Sequence, residues 1–140
     1  MNSTKPRKIL TVDDDEDIRN TVSQMLELEG FEAVWAKNGQ VALDYMMAIP
    51  DSELPDLVLL DFMMPVMNGQ EFAEKKKYLK RLAHIPVVMM TASGNLVNVM
   101  ERIPTGGYMS KPMDIDTVVK MVNTFLYPGI ILDEGPAAEG

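Results

Sequence analysis

Residues 9–17 read Ile9-Leu10-Thr11-Val12-Asp13-Asp14-Asp15-Glu16-Asp17, an apolar run that ends in five consecutive acids. Four apolar and β-branched residues in a row form a buried strand. Ile18, Val22, Met25 and Leu26 follow at i, i+4, i+7 and i+8, which is one face of a helix. Gly30 stops that helix, because glycine takes a left-handed cap without a Cβ clash. The opening unit is therefore strand, acidic turn, amphipathic helix.

Strand and helix patterns then keep alternating. Phe31 to Ala36 is a second strand. Asn38-Gly39 turns the chain into a helix whose face is Val41, Ala42, Tyr45, Met46 and Ile49. Pro50 to Pro55 reads as a loop, and Leu57-Val58-Leu59-Leu60 as a strand ending at Asp61. The loop from Phe62 to Gly69 carries Pro65 and an Asn68-Gly69 turn, and Gln70 to Ala83 reads as a third helix. Val87-Val88-Met89-Met90 is a strand ending at Thr91. A short helix is expected over 95–103, ended by Pro104. Gly107 to Ser110 is a last strand, running into Lys111-Pro112. Ile115, Val118, Val119, Val122, Phe125 and Leu126 give the last helical face. Strands apolar on both faces belong to a parallel sheet covered by helices on each side. The fold class is α/β: a doubly wound five-stranded parallel sheet, flavodoxin-like (βα)5.

Length and composition agree with a single domain. The chain has 140 residues, 46% apolar and 24% charged, enough to fold around one core. We expect a disordered tail over 1–7, the domain over 8–127, and a flexible tail or linker over 128–140. No cysteine is present, which excludes disulfides, thiolate metal sites and a cysteine nucleophile. A net charge of −8 argues against direct nucleic-acid binding, since phosphate contacts need lysine and arginine. No apolar run is long enough to span a membrane, and the polar start has no apolar signal core, so a cytoplasmic location is expected.

In doubly wound sheets, ligands sit outside the carboxyl ends of the strands. The residues ending the apolar runs are Asp13 and Asp14, Asp61, Thr91 and Lys111. Parallel strands bring all of them to one edge. Clustered carboxylates repel unless a cation is present, and oxygen ligands suit a hard ion such as Mg²⁺. An ammonium and a hydroxyl suit phosphoryl oxygens, and a carboxylate can attack phosphorus.

These segments, together with Met67-Asn68-Gly69, Thr91-Ala92 and Tyr108-Met109-Ser110-Lys111-Pro112, resemble the receiver domain of two-component response regulators. The resemblance covers about residues 7 to 127, with five motifs in the right order at strand ends. It implies that Asp61 accepts a phosphoryl group from a histidine kinase or histidine phosphotransfer protein. It implies Mg²⁺, replaceable by Mn²⁺, on Asp13, Asp14, Asp61 and the backbone carbonyl of Met63. Lys111 would pair with the phosphate. Thr91 and Tyr108 would act as the switch. Pro65 and Gly69 would shape the loop, and the Lys111–Pro112 bond is often cis. The output surface would surround the fourth helix, fifth strand and last helix. Such a domain is a phosphoacceptor rather than an enzyme, a monomer or weak dimer, with an output partner the sequence does not name.

The chain also departs from the family pattern. The spacing from Thr91 to Lys111 is about two residues short, and Pro104 with Thr105-Gly106-Gly107 replaces an alanine-rich helix end. The acid that many DNA-binding members carry before the switch aromatic is absent, which counts against their dimer. Met63 and Ser93 occupy positions that tune phosphate lifetime, and neither is an acid or amide that orients water, so slow self-hydrolysis is expected. Met63 also counts against an aspartyl-phosphate hydrolase, which wants a second acid there. A flavin phosphate would be repelled by residues 13–17. An excised receiver from a larger regulator or hybrid kinase is an alternative to a stand-alone one. Asp15, Glu16 and Asp17 read as a solvated helix start, and Lys75, Lys76, Lys77, Lys80 and Arg81 as a solvated basic face. His84 lies away from the active edge. The thirteen methionines read mainly as core, with Met113 and Met121 near a partner face, and Trp35 as packed on or beside the second strand.

Overall fold

The computed structural model describes residues 5–92 and 107–127. Five strands alternate with helices in the order β1 (Lys8–Val12), α1 (Glu16–Leu28), β2 (Glu32–Ala36), α2 (Gly39–Ala48), a 3₁₀ turn (Asp51–Glu53), β3 (Leu57–Asp61), α3 (Gly69–Lys77), β4 (Val87–Thr91), β5 (Gly107–Ser110) and α4 (Ile115–Leu126). The helix expected over 95–103, with Ser93 and Pro104, lies outside the described residues, as do 1–4 and 128–140. The strands form one parallel sheet in the order β2-β1-β3-β4-β5. This is a doubly wound sheet whose strand order switches between β1 and β3.

Strand alternation divides the core in two. Leu10, Val12, Val58, Leu60 and Met89 face α2 and α3, where Leu43, Met46 and Phe72 meet them. Ile9, Leu57, Leu59, Val88 and Met90 face the other way, against Val22 and Leu26 of α1 and Val118 and Val122 of α4. Each central strand is buried on both faces, and this produces the unbroken apolar runs seen in the sequence. Thr11 breaks the pattern: its hydroxyl is buried with no hydrogen-bond partner among the described residues.

The helix starts follow capping rules. Asp15 accepts from the amides of Asp17 (2.9 Å) and Ile18 (3.3 Å) to start α1. Asn68 and Glu71 form a reciprocal capping box at α3. Gly30, at φ 90°, turns the chain out of α1.

Two expectations need correction. The third helix ends at Lys77, not Ala83. The amide of Tyr78 folds back onto the Lys75 and Lys76 carbonyls, and a series of turns carries Leu82 and Ile85 into the core. Those turns aim Arg81 across to the end of α2. Its guanidinium donates to the carbonyls of Ile49 (2.6 Å), Met46 and Met47 (both 3.3 Å) and to Asp51 (2.7 Å). The basic face is also not wholly solvated. Lys76 is buried, with Nζ donating to the Ala83 carbonyl at 3.2 Å, and burial pushes its pKa down. Among the methionines, Met46, Met64, Met67, Met89, Met90 and Met109 are core residues, while Met47 and Met63 are exposed.

Candidate functional site

The carboxyl ends of β1, β3 and β4 lie side by side, with β5 next in the sheet. This places Asp13 and Asp14, Asp61, Thr91 and Lys111 along one edge of the sheet. One carboxylate oxygen from each of Asp13, Asp14 and Asp61 lies within 4.8 Å of the others. Asp13 is fully buried, Asp61 almost so, and Asp14 is exposed. The cluster therefore has two sheltered carboxylates and one facing water.

Asp13 is held at every polar atom. Its amide donates to the Ala36 carbonyl at 3.2 Å, continuing the β1–β2 ladder. Its Oδ1 accepts from the Asp15 amide at 2.9 Å, and its Oδ2 accepts from Lys111 Nζ at 2.7 Å. Its carbonyl accepts from Arg19 Nη1 at 3.0 Å.

Asp61 sits across from Asp13 at the switch point. Its Oδ1 accepts from the Met63 amide at 3.1 Å, and its Oδ2 lies 3.5 Å from Lys111 Nζ. Burial pushes the Asp61 carboxyl up to about 6, and the Asp13 charge adds to the rise. The Lys111 charge and the Met63 N–H pull the other way and limit it. An added cation would relieve this strain, and three carboxylate oxygens are a donor set for a hard ion.

The remaining predicted residues frame this centre. Thr91 is buried at the end of β4, and its carbonyl accepts from the Lys111 amide at 2.7 Å. Tyr108 is half-buried on β5, against the core on the α2–α3 side. The Lys111–Pro112 bond is cis. The loop after Asp61 turns sharply: the Met67 amide donates to the Pro65 carbonyl at 2.7 Å, with Val66 between them at φ 72°. Gly69 closes it, its amide donating to the Phe62 carbonyl at 2.9 Å. A Cβ there would stand 3.0 Å from Phe62 Cα and 2.9 Å from Met89 Sδ. Met63 and Val66 project from this loop, 61% and 78% exposed. His84 lies on the turns before β4, apart from the cluster.

Two features went unread in the sequence. The first is an apolar groove of about 530 Å³ beside Lys111, lined by Ile18, Thr21, Met25, Pro112 and Met113. The i, i+3, i+7 spacing of its α1 side was a visible signal, but pointed equally to core. The second is Arg19, whose guanidinium stacks 4.2 Å from the Trp35 ring. Trp35 lies on β2, as expected, but is 54% exposed.

A profile of the response regulator receiver domain matches residues 9–123. The chain is 38% identical over 121 residues to sporulation initiation phosphotransferase F of Bacillus subtilis (strain 168), spanning 85% of this chain and 93% of that protein. It is 31% identical to the polar-differentiation response regulator DivK of Brucella anthropi, covering 86% of this chain and 97% of DivK. Against the transcriptional regulatory protein CpxR of Escherichia coli (strain K12) identity is 35%, over 85% of this chain but 49% of CpxR. The crystallised chemotaxis response regulator CheY4 of Vibrio cholerae superposes with a TM-score of 0.77 at 27% identity, covering 86% of this chain and 99% of that one. No described helix is long and apolar enough to cross a membrane. The chain belongs to the response regulator receiver domain family, whose members take phosphoryl groups on aspartate in two-component signalling.

Proposed function

We propose that Asp61 is the phosphoacceptor and that Asp13, Asp14, Asp61 and the Met63 carbonyl hold Mg²⁺, or Mn²⁺ in its place. The observation that carries this reading is the convergence of three carboxylates and one ammonium at the switch point of the sheet. Bound Mg²⁺ supplies positive charge for the oxygens of the transferring group. An Asp61 carboxylate oxygen attacks phosphorus, the new P–O bond forms, and the P–N bond to the donor histidine breaks. Lys111 pairs with a phosphoryl oxygen, and the Thr91 hydroxyl donates to another. Tyr108 follows Thr91, which passes the change to the surface around β5 and α4. Nothing acidic stands at Met63 to orient an attacking water, so the phosphorylated state is long-lived.

The phosphodonor is a histidine kinase or a histidine phosphotransfer protein. The apolar groove beside Lys111 and the exposed Met63 and Val66 are where it would seat. The chain acts as a phosphoacceptor rather than a turnover enzyme. It works in the cytoplasm, as a monomer or weak dimer, without binding nucleic acid itself. The domain occupies 8–127 between tails. It stands alone or forms the receiver part of a longer regulator, and both arrangements occur among its relatives: it spans about half of CpxR and nearly all of DivK.

Incubation with acetyl phosphate and Mg²⁺ tests the assignment by intact mass. A phosphoryl adduct on the wild type and none on Asp61→Asn is expected. Equal modification of Asp61→Asn refutes it.

A further inference from the structure

Arg19 has no role in the chemistry above, yet it is among the few buried charged residues of the protein, 9% exposed. It lies on α1, and its own amide bonds the Asp15 carbonyl at 3.1 Å. Its Nη1 reaches back six residues to the main-chain carbonyl of Asp13 at 3.0 Å. Its guanidinium lies over the ring of Trp35, 4.2 Å from the centroid. Its Nε finds no hydrogen-bond partner among the described residues. A buried cation left part-satisfied is costly unless something else needs it there. Trp35 pairs with Thr11 in the β1–β2 register, two residues before Asp13. The aromatic plate and the guanidinium therefore flank the turn that carries Asp13 and Asp14.

We propose that Arg19 is a positioning residue for the cation-binding turn, clamped between the Asp13 carbonyl and the Trp35 ring. It holds the Asp13 backbone so that both Asp13 oxygens and the Asp14 carboxylate keep their aim. The proposal rests on the metal reading above. It makes a prediction of definite sign, because two roles of Arg19 oppose each other. As a mere charge, the guanidinium repels a nearby cation, so its loss would tighten Mg²⁺ binding. As a clamp, its loss frees the turn and weakens binding; outer partners of metal ligands typically contribute about 10–100-fold in affinity.

The test is calorimetric titration of Mg²⁺ into wild type, Arg19→Met, Arg19→Lys, Trp35→Leu and Asp13→Asn, with urea unfolding as a check on folding. Wild type binds and Asp13→Asn does not if the metal site is right. Arg19→Met is expected to bind about tenfold more weakly or worse. Trp35→Leu, which keeps the arginine but removes its plate, should lose several-fold, and Arg19→Lys should recover part of the Arg19→Met loss. Amide exchange of Asp13 and Asp15, the two hydrogen-bonded amides of the turn, is a second readout in metal-free protein. It should quicken at least tenfold in Arg19→Met at equal global stability. Mg²⁺ affinity within twofold of wild type, or tighter, in both Arg19→Met and Trp35→Leu overturns the clamp. Should wild type itself bind no Mg²⁺, the metal reading fails, and unchanged exchange at Asp13 and Asp15 then overturns the clamp on its own.

Discussion

Replacing Asp61 by asparagine should stabilise the metal-free protein, and by an amount that depends on pH. In the fold, burial and the Asp13 charge raise the Asp61 carboxyl from 3.8 to about 6. One unit is about 1.4 kcal/mol, so a rise of two units corresponds to roughly 3 kcal/mol. The sign follows from linkage. Below the unfolded value of 3.8 the group is protonated in both states, and its contribution to stability is fully present. As pH climbs from there through about 6, the unfolded chain loses its proton first, and that stability is lost. Asparagine does not titrate. The stability difference between Asp61→Asn and wild type should therefore grow by about 2–3 kcal/mol from pH 4 to pH 8. Urea unfolding of both proteins in chelator, at five pH values across that range, measures it. The melting midpoint at pH 8 should rise by roughly 5–10 °C. Saturating Mg²⁺ should shrink the advantage. A difference that stays flat with pH, or grows in favour of wild type, would refute the claim that Asp61 is held under electrostatic stress.

Other outcomes follow from the same structure. Mg²⁺ should raise the melting temperature of wild type, by mass action, but not of Asp13→Asn, as read by scanning fluorimetry; equal responses remove Asp13 from the metal site. Thr11→Val should gain about 1 kcal/mol in chemical denaturation, because it removes a buried hydroxyl that has no partner among the described residues. Gly69→Ala should lose about 1–3 kcal/mol, since its Cβ must displace the Phe62 backbone and Met89. Arg81→Ala should lose about 1–3 kcal/mol by uncapping α2, and hydrogen exchange should quicken at the end of that helix rather than around Asp61.

What could be read in the sequence was whatever one element carries along itself. The residue that ends each apolar run is set by local pattern, and parallel strands carry those ends to one place, so Asp13, Asp61, Thr91 and Lys111 were legible. Features made by two elements were not. Lys76 looks like its lysine neighbours, and only the turns after α3 bury it against the Ala83 carbonyl. Leu79 and Leu82 continue a helical spacing, so nothing local marks the end of α3 at Lys77. Arg19 meets Trp35 only because β2 pairs in register with β1. The Met63 amide reaches Asp61 only because the loop after β3 turns back on that carboxylate. The cis bond before Pro112 came from resemblance, since no composition rule selects it.

The ammonium of Lys111 already does at Asp13 what a cation would do: it neutralises one buried carboxylate from 2.7 Å. On the proposed metal reading, a divalent ion held by Asp13 would compete with that ammonium for the same carboxylate. Lys111 would then be left with its longer contact to Asp61 Oδ2 at 3.5 Å. Metal affinity and the freedom of the lysine to meet an arriving anion would thus be coupled through one aspartate.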